Sequence, residues 1–219
     1  MYLKITDKCN MHCPHCCVSA TTRGKHMELE VARAAVAISI ESDSCITLGG
    51  GEPTMHPQFW EIVGICLDSQ WMEHLTVISN GSKYFDRLAN LSRDSDCIYY
   101  AVSLDDGYHD PLPPDLAHRI RKWGRTYGKL HQVTTVARVG RAKTNDLTTS
   151  THCVCEDPQV LVNGDVRYCG CPRSPKLGNV LDSSFSLHNF DVSDDGMGCY
   201  KDLSRKEKKE LREIIKERS

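Results

Sequence analysis

The decisive segment of this sequence reads Cys9-Asn10-Met11-His12-Cys13-Pro14-His15-Cys16 and directly follows a short apolar run. It places three thiols on one loop, at spacings of four and three residues. A cubane iron–sulfur cluster is usually held by four cysteine thiolates, so three would leave one iron open to a ligand that is not protein. The alternative is a zinc site completed by His12, His15, Cys17 or a distant residue, since structural zinc takes four ligands.

Composition and charge limit the class of protein. The chain has 219 residues, enough for one domain or somewhat more, and a net charge of -2 with scattered lysines and arginines. This pattern indicates neither a nucleic-acid surface nor a polybasic membrane segment. Residues 1–5 run straight into the cysteine loop without a signal peptide or a membrane span. We therefore expect a cytoplasmic protein that does not associate with a membrane.

The cysteines are numerous and unevenly distributed. The chain contains 12 of them, and in a reducing compartment metal ligands or buried thiols are expected rather than disulfides. They are concentrated near the start of the chain and between Cys153 and Cys199. Cys45, Cys66 and Cys97 stand singly among apolar residues, and we predict that these three are core thiols.

Hydrophobic periodicity predicts strands that alternate with helices. The predicted strands end near residue 5 and span 46–48, 75–79, 98–104 and 133–137, and the helices span 27–40, 57–67 and 116–127. Such alternation implies parallel pairing through crossovers, which is an α/β fold. In α/β barrels the ligand site forms at the carboxyl ends of the strands. Five such strands are evident.

Glycine-rich and polar segments follow these strands. Gly49-Gly50-Gly51-Glu52-Pro53 comes after the second strand and Asn80-Gly81 after the third, while Ser103 ends the fourth. A strand that runs into three glycines and an acid predicts that backbone approaches a ligand closely. Together with the cysteine loop after the first strand, these segments should meet at one edge of the sheet.

Two of these segments match motifs of a known family. The spacing Cys-x3-Cys-x2-Cys and the run Gly50-Gly51-Glu52-Pro53 resemble those of the radical S-adenosylmethionine (radical SAM) enzymes. The resemblance implies a partial (β/α) barrel in which Cys9, Cys13 and Cys16 hold a 4Fe-4S cluster. S-adenosylmethionine would chelate the open iron, with Glu52 and exposed carbonyls accepting hydrogen bonds from its ammonium group. One electron from the cluster would then cleave S-adenosylmethionine to methionine and a 5′-deoxyadenosyl radical, which takes a hydrogen atom from a substrate.

The resemblance extends to other positions beside the cofactor. His15 stands where the family usually has an aromatic ring that packs near the adenine, and the histidine ring can still stack. Asn80 follows the third strand in a step similar to the family's, and Ser103 lies at a position close to the cofactor. The family also implies an electron donor of the flavodoxin or ferredoxin type.

The segment after the fourth strand is ambiguous. Ser103-Leu104-Asp105 resembles the Ser-Leu-Asp-Gly of relatives that modify peptides and proteins, but Asp106 replaces the glycine. Asp105, Asp106 and His109 are therefore either substrate-facing groups or solvated loop residues.

A cysteine-rich segment follows the predicted barrel. Short apolar runs around Asn163-Gly164 predict a β-hairpin, and five cysteines surround it: Cys153, Cys155, Cys169, Cys171 and Cys199. The step Gly164-x4-Cys169 resembles the extension called SPASM, or its shorter form twitch, which binds auxiliary clusters. The resemblance implies one auxiliary iron–sulfur cluster on Cys153, Cys169, Cys171 and Cys199, with Cys155 able to replace Cys153. A zinc knuckle made by the same residues is the alternative.

The chain ends in a predicted surface helix over residues 204–218. Ser204 and Glu207 form a capping box at its start, and an apolar stripe runs along one face. The expected organisation is a barrel core over 1–140, a cysteine-rich extension over 141–202 and a C-terminal helix over 203–219.

These features together predict an enzyme. The extension and the Ser-Leu-Asp segment favour a peptide or protein as the substrate, and a small molecule, nucleoside or nucleotide is the alternative. A function of another class, a non-enzymatic zinc or iron–sulfur binding module for a protein partner, is also open. A coloured protein that cleaves S-adenosylmethionine favours the enzyme, whereas a colourless zinc protein favours the module.

Overall fold

The described residues form one eight-stranded sheet. The computed structural model describes residues 1–68, 74–104, 107–127, 130–131, 140–144, 157–171, 174–190 and 204–217. The strands are β1 (Tyr2–Thr6), β2 (Ile46–Gly50), β3 (Leu75–Ser79), β4 (Ile98–Ser103), β5 (Leu130–His131), β6 (Gln159–Val160), β7 (Asp165–Arg167) and β8 (Lys176–Asn179). Their order in the sheet is β5-β4-β3-β2-β1-β6-β7-β8.

Helices connect the first five strands. The helices are α1 (Leu29–Glu41), α2 (Phe59–Asp68), α3 (Phe85–Asp94), α4 (Pro114–Tyr127) and α5 (Arg205–Glu217). Each of α1 to α4 links one strand to the next, and β1 to β5 pair in parallel. The apolar strand residues that the pattern predicted, such as Leu3, Ile46 and Val77, are fully buried. The predicted α/β partial barrel is confirmed.

Helix α3 was not predicted from the sequence. Its buried residues are Phe85, Leu88, Ala89 and Ser92, which recur at spacings of three and four. This is the period of an amphipathic helix, so the signal was present. The helix carries few strongly apolar residues, which made the pattern easy to overlook.

The chain from residue 157 onward joins the same sheet. Strand β6 pairs in parallel with β1, and the Tyr2 N–H donates to the Pro158 carbonyl at 2.9 Å. Strand β7 pairs antiparallel with β6, which confirms the hairpin around Asn163-Gly164. A sixth parallel strand therefore lies beside β1, within the segment that was expected to form the extension. The division at residues 140 and 202 stays a prediction.

Two predictions about single residues differ from the structure. Cys66 is buried, but Cys45 and Cys97 are exposed, so their assignment as core thiols was wrong. Both lie in the turns that lead into β2 and β4, where the chain meets solvent. The predicted fifth strand over 133–137 lies outside the described residues, and β5 pairs with β4 just before it.

Helix α5 begins where the capping box predicted. The Ser204 N–H donates to Glu207 Oε2 at 2.6 Å, and the Glu207 N–H donates to Ser204 Oγ at 3.2 Å. Leu211 is buried against the core. Within the described part of the chain, no helix is both long and apolar enough to cross a membrane.

Candidate functional site

The cysteine loop leaves the end of β1 and closes on itself. The Cys9 N–H donates to the Thr21 carbonyl at 2.7 Å, so a compact loop connects these residues. Cys13 is buried, whereas Cys9 and Cys16 are partly buried. Strand β1 is flanked by β2 and β6, so the loop is attached to a strand that is paired on both sides.

Backbone N–H groups point at the three sulfurs. Cys9 Sγ accepts from the Met11 N–H, Cys16 Sγ from the Ala20 N–H and Cys13 Sγ from the Asp110 N–H, each at 3.4 Å. Hydrogen bonds to cysteine sulfur stabilise the thiolate form and tune the potential of iron–sulfur clusters. The three sulfurs lie on one loop and each accepts from a backbone N–H, two from the loop and one from the segment after β4, which fits the protein ligands of a cluster.

Burial raises the pKa of two of the thiols, which favours their protonated form. Burial raises the pKa of the Cys9 thiol to about 11, and Glu52, Cys13 and Cys16 add to the rise while the Met11 N–H opposes it. Burial also raises the pKa of Cys13. Metal binding requires thiolates and displaces these protons. In the residues that the structure describes, no three histidine, cysteine or acidic side chains converge closely enough to hold a single metal ion.

The glycine run packs against the end of β1. Gly50 has a φ of +148°, and a side chain there would overlap the Thr6 carbonyl oxygen. The Gly51 N–H donates to that oxygen at 2.8 Å, and the Glu52 N–H donates to the Lys8 carbonyl at 2.8 Å. The glycines therefore allow the backbone after β2 to lie close to the backbone at the end of β1. This contact fixes Glu52 beside the cysteine loop.

Glu52 is 1 % exposed, and both of its carboxylate oxygens accept hydrogen bonds. Oε1 accepts from the Thr54 N–H at 3.1 Å, the Thr54 hydroxyl at 2.5 Å and the Ser79 hydroxyl at 2.8 Å. Oε2 accepts from the Asn80 N–H at 2.7 Å. Burial raises the pKa of the Glu52 carboxyl, and these donors oppose the rise. The carboxylate thus ties the ends of β2 and β3 together.

Asn80 connects the end of β3 to the cysteine loop. Its side-chain Nδ2 donates to Asn10 Oδ1 at 3.0 Å, and its Oδ1 accepts from the Ser82 N–H at 2.9 Å. Asn10 in turn donates to the Ser82 hydroxyl at 2.8 Å. The structure therefore brings Asn80 against the loop, as the sequence predicted, with its side chain engaged by protein.

The segment after β4 contacts the other side of the loop. His15 Nδ1 donates to the Tyr108 carbonyl at 2.6 Å, which places the proton on Nδ1 because a carbonyl only accepts. The His15 ring meets the His109 ring edge-on, with centroids 4.5 Å apart. The Asp110 carboxylate accepts from the His12 N–H. His15 and His109 are brought together, and Asp110 is a contact residue that sequence reasoning did not identify.

A further contact comes from residues 140–141, at the predicted boundary between the barrel core and the cysteine-rich extension. The Arg141 guanidinium donates to the carbonyls of Cys13 at 2.9 Å and Ala20 at 2.8 Å. The Arg141 N–H donates to the Cys16 carbonyl at 2.9 Å. No motif marks this arginine, because the contact spans 128 residues of sequence.

The remaining predicted residues are dispersed. Pro53 is buried at the start of a 3-10 turn, and Ser103 is half-buried at the end of β4. Cys169 and Cys171 are both buried, in a turn that the Ser174 side chain closes by donating to the Cys169 carbonyl at 2.7 Å. Five predicted residues lie outside the described part of the chain: Asp105, Asp106, Cys153, Cys155 and Cys199.

Comparison with known proteins gives a family match. The sequence-family model of the Radical SAM superfamily matches residues 3–154 of this chain, a range that includes the cysteine loop and the glycine run. Mycofactocin maturase MftC of Mycobacterium ulcerans is 33% identical over 107 residues, which cover 47% of this chain and 28% of the maturase. GTP 3′,8-cyclase of Photorhabdus laumondii subsp. laumondii is 28% identical over 148 residues, covering 64% of this chain and 42% of the cyclase. The chain thus spans less than half the length of these curated relatives.

Solved structures share the fold. Native anSMEcpe with bound AdoMet superposes with a TM-score of 0.59 at 13% identity, covering 85% of this chain and 79% of that one. BtrN in complex with AdoMet and 2-DOIA gives a TM-score of 0.53 at 16% identity, covering 82% of this chain and 76% of that one. At these identities the likeness concerns the fold alone.

Proposed function

Because the chain belongs to the radical SAM superfamily, we propose that it is an enzyme that cleaves S-adenosylmethionine reductively at a 4Fe-4S cluster held by Cys9, Cys13 and Cys16. Held by these cysteines, a reduced cluster would supply one electron, which would give methionine and a 5′-deoxyadenosyl radical able to abstract a hydrogen atom from the substrate. The observation that carries the proposal is a single loop with three sulfurs, each aligned with a backbone donor. Three protein ligands leave one iron for the amino and carboxylate groups of S-adenosylmethionine.

The residues around the loop have proposed roles in holding S-adenosylmethionine. Among the described residues Oε2 of Glu52 accepts one hydrogen bond, and a carboxylate oxygen can accept two, so it can also take one from the ligand's ammonium group. His15 faces the adenine, and its Nδ1 is occupied by Tyr108, which leaves Nε2 as the acceptor of a neutral ring. Gly50, Gly51 and Pro53 with Asn80 and Ser103 complete the proposed contacts at the strand ends.

A peptide or protein is the substrate class that we favour. Support comes from the Ser103-Leu104-Asp105 segment and from the relative that is named as a maturase. A nucleotide is the second candidate, because another relative is named as a cyclase of GTP. His109 contacts His15, a position from which it can face a substrate beside S-adenosylmethionine. Asp105 and Asp106 have the same proposed role.

An auxiliary iron–sulfur cluster in a SPASM- or twitch-like extension is part of the proposal. Cys169 and Cys171 are buried two residues apart, which supports a shared ligand role. Cys199 and either Cys153 or Cys155 would supply the remaining thiolates. Zinc on the same residues is the competing assignment.

The reaction needs an external electron. We propose a flavodoxin- or ferredoxin-type donor, since the cluster must be reduced before each cleavage. We place the protein in the cytoplasm, because 12 cysteines and an iron–sulfur loop require a reducing compartment.

Product analysis after dithionite reduction tests the proposal. We expect anaerobically reconstituted protein to form 5′-deoxyadenosine slowly, even without substrate. Cys13→Ala should abolish the product, because it removes a ligand of the open cluster, and Cys199→Ala should retain it. Persistent product in Cys13→Ala, or none from a parent protein with a reducible cluster, would contradict the assignment. A colourless protein that retains zinc would support the non-enzymatic module.

A further inference from the structure

We propose that Arg141 is a positioning residue that holds the cysteine loop in the geometry its metal needs and places a positive charge beside it. The inference rests on the proposed function of the loop, and it concerns a segment with no recognised motif. Hydrogen bonds within the loop already close it, and Arg141 adds a link between Cys13 and Ala20 that comes from outside the loop.

The arginine bridges the loop from one side to the other. Its Nε donates to the Cys13 carbonyl and its Nη1 to the Ala20 carbonyl, at 2.9 and 2.8 Å. Its backbone N–H holds the Cys16 carbonyl at 2.9 Å. Two proposed metal ligands, Cys13 and Cys16, are therefore fixed through their own backbone by one residue. The Ala20 N–H is also the donor to Cys16 Sγ, so the bridge reaches a sulfur contact as well.

Gly140 brings the arginine close enough to make these contacts. Its φ is +56°, and a side chain there would overlap the carbonyl oxygens of Cys16 and Cys17. Only glycine accepts this conformation at such a close approach without strain. The pair Gly140-Arg141 is thus shaped to dock on the cysteine loop.

Arginine suits both parts of the role. Its guanidinium presents several donors in a fixed plane, so it can bind two carbonyls at once, whereas lysine presents a single flexible ammonium. It also carries a positive charge, which stabilises the added electron of a reduced cluster. The two hydrogen bonds to carbonyls should control how well the loop retains metal, and the positive charge should control the reduction potential of the cluster.

The test compares Arg141→Met, Arg141→Lys and the parent, each reconstituted under anaerobic conditions. The first measurement is the rate at which a ferrous chelator removes iron, corrected for any iron retained by a variant that lacks Cys9, Cys13 and Cys16. The second is the midpoint potential of the cluster, followed by electron paramagnetic resonance. Arg93→Gln, a change of an exposed arginine on α3, is the matched control.

We expect Arg141→Met to release iron about ten- to hundredfold faster, since two charge-assisted hydrogen bonds are lost. Its potential should move to more negative values. Arg141→Lys should release iron at an intermediate rate but keep a potential near that of the parent, and Arg93→Gln should match the parent in both. A general loss of folding would not leave the midpoint potential of Arg141→Lys unchanged while its iron release becomes faster.

Parent-like iron release and potential in Arg141→Met would overturn the inference. So would equal potentials in Arg141→Met and Arg141→Lys, because the charge would then have no effect. Thermal unfolding of the metal-free proteins identifies any variant that fails to fold. If Arg141→Met fails to fold, the comparison of Arg141→Lys with the parent tests the inference. If the parent binds its cluster but forms no 5′-deoxyadenosine, the proposed function fails while the role of Arg141 in metal retention is still measured.

Discussion

Glu52 shows how one buried carboxylate can serve two strands. Its carboxylate accepts hydrogen bonds from Thr54, which follows β2, and from Ser79 and Asn80, which lie at the end of β3. The family resemblance implies that this acid binds the ammonium group of a ligand, and its observed contacts join the ends of β2 and β3. A change at this position therefore acts on stability as well as on binding.

Glu52→Ala should destabilise the metal-free protein by roughly 3 kcal/mol or more, because several buried donors lose their acceptor. Urea denaturation measures this change, and calorimetry on the reconstituted protein should show S-adenosylmethionine affinity reduced about ten- to hundredfold. Glu61→Ala, on the exposed face of α2, is the control and should stay within about 0.5 kcal/mol of the parent. Weakened binding at unchanged stability would assign Glu52 to the ligand alone.

Two connecting segments dock on the cysteine loop from outside the sheet. Residues 108–110 contact it through His12, Cys13 and His15, and residues 140–141 contact it through backbone carbonyls. These segments follow β4 and β5, the strands farthest from β1 in the parallel part of the sheet. The loop is thus held by elements from both halves of the partial barrel.

Helix α5 depends on its first turn and on a few apolar contacts. Leu211 is buried, and Ile214 and Ile215 pack against the core, while most other side chains of the helix are exposed. Local contacts of this kind give a helix that opens more readily than the central sheet. The cap at Ser204 should therefore have a measurable effect on the helix.

Ser204→Ala should weaken α5 by about 1 kcal/mol through loss of the N-cap, and amide exchange in the helix should speed up about fivefold. Ser204→Asp should restore protection, because aspartate is an equally good N-cap. Hydrogen exchange resolved by residue makes the measurement. Equal exchange in all three proteins, or a change confined to β3, would contradict this role of the cap.

The whole molecule is organised around β1, which lies at the centre of the sheet. It pairs with β2 on one side and β6 on the other, and Leu3 and Ile5 are completely buried. The proposed core and the cysteine-rich extension therefore share one sheet, and the loop emerges from the strand that joins them.

Iron analysis of the reconstituted protein should find about eight irons per chain if both proposed cubane clusters form. Replacing Cys9, Cys13 and Cys16 together by alanine should remove about four of them. A Cys45→Ser, Cys97→Ser double variant is the control, and it should keep the full content because both thiols are exposed and outside the proposed sites. About four irons in the parent protein would reject the auxiliary cluster.

Local patterns were sufficient to predict much of this architecture. Burial of one face imposes a period of two on strands and of 3.6 on helices, so the first four parallel strands and three of the crossover helices were evident. The capping box and the hairpin turn are also local, because their hydrogen bonds join residues a few positions apart. The cysteine spacing and the glycine run identified the edge of the sheet where the site forms.

Contacts between distant segments were decided only by the tertiary structure. His12 and Asp110 are 98 residues apart, and Cys13 and Arg141 are 128 residues apart. No period or spacing encodes such pairs, since they form only after the crossovers have brought the strand ends together. The same holds for the hydrogen bonds from Ser79 and Asn80 that engage Glu52, for the exposed position of Cys45 and for the pairing of β6 with β1. The sequence by itself determined the residue types at the site and the order of the elements, and packing determined which distant side chains hold the site in place.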